Sequence, residues 1–285
     1  MIRPGGNWGD QLIYHGAEWL AADLGIPWRT VPHDALARLS VGWGDVIYVH
    51  GSGGFNRYNS GMAAVCLEAA LGVPGAVVIQ GPCTVDEAED LNSVAAALSN
   101  GRAEAVYFVA REERTRSLAA EVLAPRAHVL TSEDTALYVP PAWLWEQAGR
   151  PAQRIHLCGV RQDAERVSGL PERHGGVVVD PAALADTFAH WVRIHAAART
   201  IVTNRTHSAV CGALLGIPTT MFANGYHKNR SIWAFSLARR GVHWLDEFPA
   251  VGTTRSPLNW VPVRRVRQSW KVNRAILRLQ GVPLA

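Results

Sequence analysis

Short apolar, β-type runs alternate with helix-length segments along almost the whole chain, and that alternation restricts the fold more than any other feature. The runs occupy residues 45–50, 76–80, 105–110, 127–131, 154–160, 176–180, 200–203, 219–223 and 242–245. Most are continuously apolar, the pattern of strands covered on both faces. Between them, residues 11–24, 61–71, 88–98, 114–123, 182–197 and 208–215 read as helices. Strand–helix alternation of this kind implies an α/β fold with mostly parallel sheets. A proline-bearing bridge, Val139-Pro140-Pro141 through Gly149-Arg150-Pro151, divides the 285 residues into halves of similar size. The expected organisation is one Rossmann-like domain over residues 1–140 and a second over 151–285, with a single wide sheet as the alternative.

Composition narrows the function classes. Hydrophobic residues make up 48% of the chain and charged ones 18%, a globular balance. No apolar run approaches the roughly 18 residues of a membrane span. The first residues, Met1-Ile2-Arg3-Pro4-Gly5-Gly6-Asn7-Trp8, lack a secretory apolar segment. Cys66, Cys83, Cys158 and Cys211 show no Cys-x-x-Cys spacing and sit in apolar surroundings, so buried reduced thiols are expected. A cytoplasmic protein without a membrane span follows from these features. No two histidines or acids show metal-ligand spacing on one helix face, and no Gly-x-Ser-x-Gly occurs. Neither a metal, nor another cofactor, nor a covalent nucleophile is indicated.

Charge is uneven. Beyond Glu247 there is no acid, whereas Arg255, Arg264, Arg265, Arg267, Lys271, Arg274 and Arg278 contribute +7. The whole chain carries +4, so residues 1–247 carry −3. Val263, Val266, Trp270, Ile276, Leu277 and Leu279 interleave these cations, which reads as a basic C-terminal helix packing on the body. Its solvated face leaves peripheral contact with an anionic membrane open. With no RNA-type aromatic motif and no zinc spacing, nucleic acid is not an expected partner. Oligomeric state stays open.

The chemistry-bearing residues gather at strand ends. Gly5-Gly6-Asn7-Trp8-Gly9-Asp10 opens a helix, with Asp10 a natural N-cap. Gly51-Ser52-Gly53-Gly54 follows a strand and offers backbone N–H groups to an oxyanion, or simply needs positive φ. Arg111, Arg161 and Arg205 each follow a strand directly. Arginine suits planar bidentate contact with carboxylate or phosphate, although Glu112, Glu113 and Asp163 are at hand for ordinary salt bridges. Three such arginines favour a ligand with more than one negative charge, and Lys228 and Arg230 would add to the same field. His207 lies two residues past Arg205, near the first turn of a helix, where a phosphate contact or general-acid role is available.

Taken in order, these motifs resemble the polysaccharide pyruvyl transferase family. Asn7-Trp8-Gly9-Asp10 is similar to its Asn-aromatic-Gly-Asp signature, and His50-Gly51-Ser52-Gly53-Gly54-Phe55 to its glycine-rich loop. Ala110-Arg111-Glu112-Glu113 with Ser117 resembles its Arg-acid motif, and Glu133-Asp134-Thr135-Ala136-Leu137 its Asp-x-Ala-aromatic element. Arg161-Gln162-Asp163-Ala164-Glu165 is similar to its Arg-x-Asp-x-Glu segment. The closest match is Thr203-Asn204-Arg205-Thr206-His207, followed by Leu215-Gly216-Ile217-Pro218 and Asn224-Gly225-Tyr226-His227-Lys228-Asn229.

The resemblance implies two Rossmann-like domains in a GT-B-like arrangement. It implies phosphoenolpyruvate as donor and a sugar of a cell-surface polysaccharide as acceptor, joined as a pyruvate ketal with release of phosphate. It places donor contacts on Arg111, Arg205 and His207. His207 and Arg205 are therefore the candidate catalytic residues. Arg111, Arg161, Lys228, Asn7, Asp10, Gly53, Gly54 and Asn224 are the candidate substrate-binding residues. Asp10, Asp163 and Glu165 are candidate bases for the sugar hydroxyl. Where the family commonly has Asp-Arg-Leu-His, this chain has Asn204 and Thr206. Two alternatives remain: a GT-B-type nucleotide-sugar glycosyltransferase, for which Asp246-Glu247 is the only late acidic pair, and a non-catalytic anion-binding relative.

Overall fold

The computed structural model describes residues 1–38, 45–58, 61–124, 126–167 and 176–246. The basic helix expected over 255–278 lies outside them. The chain divides into two compact units, the first Met1–Val139 and the second from Pro140 onward.

In the first unit, β1 (Val46–Val49), β2 (Val77–Cys83), β3 (Ala105–Ala110) and β4 (His128–Thr131) form one parallel sheet in the order β1-β2-β3-β4. The crossovers run through α2 (Met62–Leu71), α3 (Asn92–Asn100) and α4 (Glu113–Leu123). Ahead of β1, Ile2 forms single parallel bridges to both Val31 and Val49. The chain thus starts at Ile2, moves outward through α1 (Trp8–Asp23) to Val31, and returns to β1 on the other side of Ile2. That reversal is a topological switch point, whose crevice opens at the carboxyl ends of the strands. Ile2, Val49, Val78 and Phe108 pack with Leu67, Leu71 and Leu123 in one buried cluster. Expected strand 76–80 runs on to Cys83, with a register shift against β3 between Gln80 and Cys83. Pro82 falls inside this irregularity, where its missing N–H removes no ladder bond.

The second unit contains β5 (Ile155–Gly159), β6 (Val177–Val179), β7 (Ala198–Thr203), β8 (Thr219–Phe222) and β9 (His243–Leu245), all parallel in the order β6-β5-β7-β8-β9. Relabelled from β5, this is the doubly wound 2-1-3-4-5 order, with its switch point between β5 and β7. The proline-bearing bridge is itself helical. Pro141 starts α5 (Pro141–Ala148) at a position where a missing N–H costs nothing, and Gly149 ends it in the left-handed conformation. Trp143 stacks on Phe188 at 5.8 Å and Phe188 on Trp191 at 6.0 Å, fixing α5 against α7 (Phe188–Ala196). The helix expected over 182–197 is two: Asp180 caps α6 (Pro181–Leu184), and the Thr187 hydroxyl caps α7 by accepting from His190 N. After β7 come α8 (Thr206–Leu214) and then α9 (Lys228–Ile232), which continues as a π-turn and a 3₁₀ turn to Arg240.

All four cysteines are buried and unpaired. Burial raises the thiol of Cys66 to about 11 and that of Cys158 to about 12. Among the described residues, no helix is long and apolar enough to cross a membrane.

Candidate functional site

The carboxyl edge of the second sheet carries a dense polar cluster. β5 leads directly into Val160-Arg161, β6 into Asp180, β7 into Asn204-Arg205, and β8, after Ala223, into Asn224. The Arg205 guanidinium meets Asp180 side on, Nε to Oδ1 and Nη2 to Oδ2 at 2.5 Å each, and Nη2 also reaches Asp163 Oδ2 at 3.0 Å. Arg161 grips Asp163 through Nε and Nη2 at 2.9 Å each and Glu165 through Nη1 at 2.8 Å. Glu165 Oε2 also accepts from Lys228 Nζ at 2.5 Å and from Asn224 Nδ2 at 3.0 Å. Bidentate, charge-assisted geometry of this kind fixes orientation as well as energy.

The backbone is tied just as closely. Thr203 Oγ1 donates to Gly159 O at 2.6 Å across the switch point and accepts from Arg205 N at 3.0 Å. Asn204 Oδ1 accepts from Arg161 N at 2.8 Å. Asn229 Nδ2 donates to Asn204 O at 2.7 Å and Phe222 O at 2.9 Å, and its Oδ1 accepts from Thr206 Oγ1 at 2.8 Å. Asn204 and Thr206 thus both have local partners: Asn204 joins β7 to the loop after β5, and Thr206 joins α8 to α9.

Three cations (Arg161, Arg205, Lys228) and three carboxylates (Asp163, Glu165, Asp180) therefore balance. Partial burial would raise the Asp163 carboxyl, but hydrogen bonds and charge from Arg161, with the charge of Arg205, pull it down to about 2. Burial of Glu165 acts upward too, and is outweighed by Lys228, Arg161 and Asn224, which hold its carboxyl below the ordinary range. Carboxylates held this low have little proton affinity, which counts against both as bases for a sugar hydroxyl. His207 is the second residue of α8 and half-buried. The N-cap of α8 is Arg205 itself, whose side chain makes no capping hydrogen bond. Arg230 sits apart from the cluster. Its guanidinium lies 4.7 Å from the Trp233 ring centroid and 4.8 Å from that of Trp244, and it reaches Asp246 at 3.6 Å.

The other sequence-derived residues belong to the first unit. Arg111, after β3, is 1% exposed and donates from Nε to Thr84 Oγ1 at 2.8 Å and from Nη1 to Asp134 Oδ2 at 2.6 Å. Its sequence neighbours serve other partners: Glu112 accepts from Thr115 as the cap of α4, and Glu113 pairs with Arg116 at 2.5 Å. The residue that caps α1 is Asn7, not Asp10. Asn7 Oδ1 accepts from Gly9 N at 2.8 Å, and Asp10, third in the helix, accepts from Asn7 N at 2.8 Å. This is a capping box, possible because the helix begins three residues earlier than its apolar periodicity suggests.

Gly51 and Gly54 are needed for close approach, not for positive φ. A Cβ on Gly51 would stand 2.0 Å from Pro82 O, and one on Gly54 would stand 2.5 Å from Ala63 Cβ. Gly53 O accepts from Asn56 Nδ2.

Two residues escaped the sequence pattern. Asp180 reads there as the last residue of a strand before Pro181, and only the sheet order brings it beside Arg205. His50 is fully buried at the end of β1, between the rings of Tyr14 (4.7 Å) and Tyr48 (5.3 Å), with neither ring nitrogen hydrogen-bonded. Burial first, then the charge of Arg3, push its imidazole down to about 3. Among the described residues, no group of three or more His, Cys, Asp or Glu side chains is placed to hold a metal ion.

No family model matches the chain, and no curated protein matches it. An uncharacterized protein of Klebsiella pneumoniae has a similar structure, with a TM-score of 0.61 at 16% identity, covering 87% of this chain and 92% of that one. The likeness is one of fold: an α/β architecture of two mostly parallel sheets with helices, as in Rossmann-like proteins.

Proposed function

We propose that the chain is a pyruvyltransferase, moving pyruvate from phosphoenolpyruvate to a sugar of a cell-surface polysaccharide or its precursor as a ketal. In this reading the two units form a GT-B-like enzyme acting in the cytoplasm. The observation that carries it is the mouth of α8. A helix N-terminus whose N-cap side chain makes no capping bond opens at the β5/β7 switch point, next to a rigidly held Arg205 and with His207 in its first turn. The backbone N–H groups of a helix N-terminus and the helix dipole favour an anionic group there. The ordered motifs from Asn7 to Asn229 supply the reaction class.

The donor carries a carboxylate and a phosphate on adjacent atoms. Arg205 and the α8 terminus would hold one of them. Protonation of the methylene carbon, a role for His207, makes C2 electrophilic. One sugar hydroxyl then adds to C2, and a second displaces phosphate, closing the ketal. The two hydroxyl protons balance the proton given to carbon and the one taken up by phosphate or solvent. Donors fixed around the departing phosphate contribute where charge develops.

Protein incubated with phosphoenolpyruvate and a glycan acceptor is expected to release inorganic phosphate and yield a pyruvylated sugar. Arg205→Ala is expected to abolish both. Phosphate release undiminished by that substitution would remove Arg205 from the site. The charge balance around Arg205 favours a second reading, a non-catalytic anion-binding protein. Calorimetric binding of phosphoenolpyruvate, with no ketal across an acceptor panel, would select it.

A further inference from the structure

Resting on the reading of α8 as an anion site, we propose that Asn204 and Ser208 form an oxyanion subsite at its first turn. Asn204, which stands where the family motif has an acid, would then contact the ligand directly. The carboxylate that the motif places beside the arginine comes here from another strand. Asp180, at the end of β6, receives Arg205 through both oxygens and is itself anchored by Gln162 N and Ala182 N at 3.1 Å each. Position 204 is thereby released from holding the arginine.

The orientation of the Asn204 amide is fixed by chemistry. Its Oδ1 accepts from Arg161 N, and a flipped amide would set donor against donor. Nδ2 therefore faces elsewhere, and it has no hydrogen-bond partner although the residue is fully buried. Ser208 Oγ is likewise buried without a partner. The two residues bracket the start of α8: Asn204 immediately precedes the N-cap, and Ser208 is the third residue of the helix. Helical side chains lean toward the N-terminus, which directs Ser208 to the same end. Two orphaned donors beside a nine-residue helix whose N-cap side chain makes no capping bond call for an acceptor, and buried polar groups left unpaired mark an ion or water site. Shielding from water makes a hydrogen bond to a charged oxygen count for more. The ligand class is an oxyanion: the phosphate or the carboxylate of the donor, or free phosphate.

The test is calorimetric titration of the full chain with inorganic phosphate and with phosphoenolpyruvate, for wild type, Asn204→Asp and Ser208→Ala. The aspartate keeps an acceptor for Arg161 N but loses the donor. Asn204→Asp is expected to weaken phosphate binding about tenfold or more, and Ser208→Ala about threefold to tenfold, with melting temperatures unchanged in phosphate-free buffer. If Asn204→Asp lowers the melting temperature, Ser208→Ala carries the test alone. Wild-type affinity in Ser208→Ala overturns the proposal, even where Asn204→Asp loses affinity, because a new charge acts at a distance. So does a wild type that takes up neither anion. Phosphate binding that depends on both residues, without phosphate release from phosphoenolpyruvate and an acceptor, keeps the subsite and removes pyruvyl transfer. Phosphate release unaffected by both substitutions does the reverse.

Discussion

The two units reach the same topological switch point by different means and fill it differently. In the first, the inner and outer strands next to the switch shrink to single bridges at Ile2 and Val31; in the second, they are full strands, β5 and β6. The helix after Ile2, α1, is closed by its own side chains, since Asn7 caps it and the Asp10 carboxylate already sits at the positive end of the dipole. The N-cap side chain of the helix after β7 makes no capping bond, because it is an arginine whose guanidinium is held by Asp180 and Asp163. The first unit keeps a neutral, buried His50 near its switch, whereas the second gathers three cations and three carboxylates. Topology alone therefore does not decide how such a crevice is lined. What separates the two crevices is whether the chain has already spent its own polar groups on the helix end.

The largest contrast should come from carboxylate removal. Asp134→Ala leaves Arg111 buried without its carboxylate and is expected to cost about 3–5 kcal/mol. Asp180→Ala is expected to cost roughly 1–3 kcal/mol, because Asp163 still faces Arg205. Urea unfolding of both variants measures the difference, and equal losses would break the contrast. Acid stability should separate the units next. The unfolded imidazole binds a proton near pH 6.5 and folded His50 only near 3, so its stabilisation declines as pH falls between those values, by about 1.4 kcal/mol per unit. His50→Gln is expected to flatten that slope in a pH series of melting curves. In the second unit, His195, held near 4 by burial, acts over the shorter range from 6.5 to 4. The Asp163 stabilisation is present above the ordinary carboxylate range and is lost as pH drops toward 2. The smallest expected effect is Asn7→Ala, about 1 kcal/mol in stability with phosphate affinity unchanged; a loss of affinity would return Asn7 to the ligand site.

Continuous apolar runs made most of the described strands legible, because a strand covered on both faces carries its burial in its own residues. Elements whose reason for forming is elsewhere were not legible. α5 opens on Pro140-Pro141, which reads as a break, and it is held by Trp143 stacking on a residue 45 positions later. The Ile2 bridges are too short to carry a pattern. At the site, the strand-end arginines were visible from their positions, but their neutralising partners were not. Adjacent acids in sequence, Glu112 and Glu113, turned out to serve a helix cap and a surface pair. The carboxylates facing Arg111 and Arg205 are Asp134, from beyond the end of the adjacent β4, and Asp180, from the end of β6 on the far side of β5. Pairing across a parallel sheet depends on strand order, and local spacing does not encode it.

The contrast between the two helix mouths is most directly tested by amide NMR shifts during titration with inorganic phosphate. The expected result is saturable movement of the backbone amides of Thr206, His207 and Ser208, with those of Trp8, Gly9 and Asp10 unmoved. Movement at Trp8–Asp10, or none at Thr206–Ser208, would contradict the assignment of the anion site to the second unit.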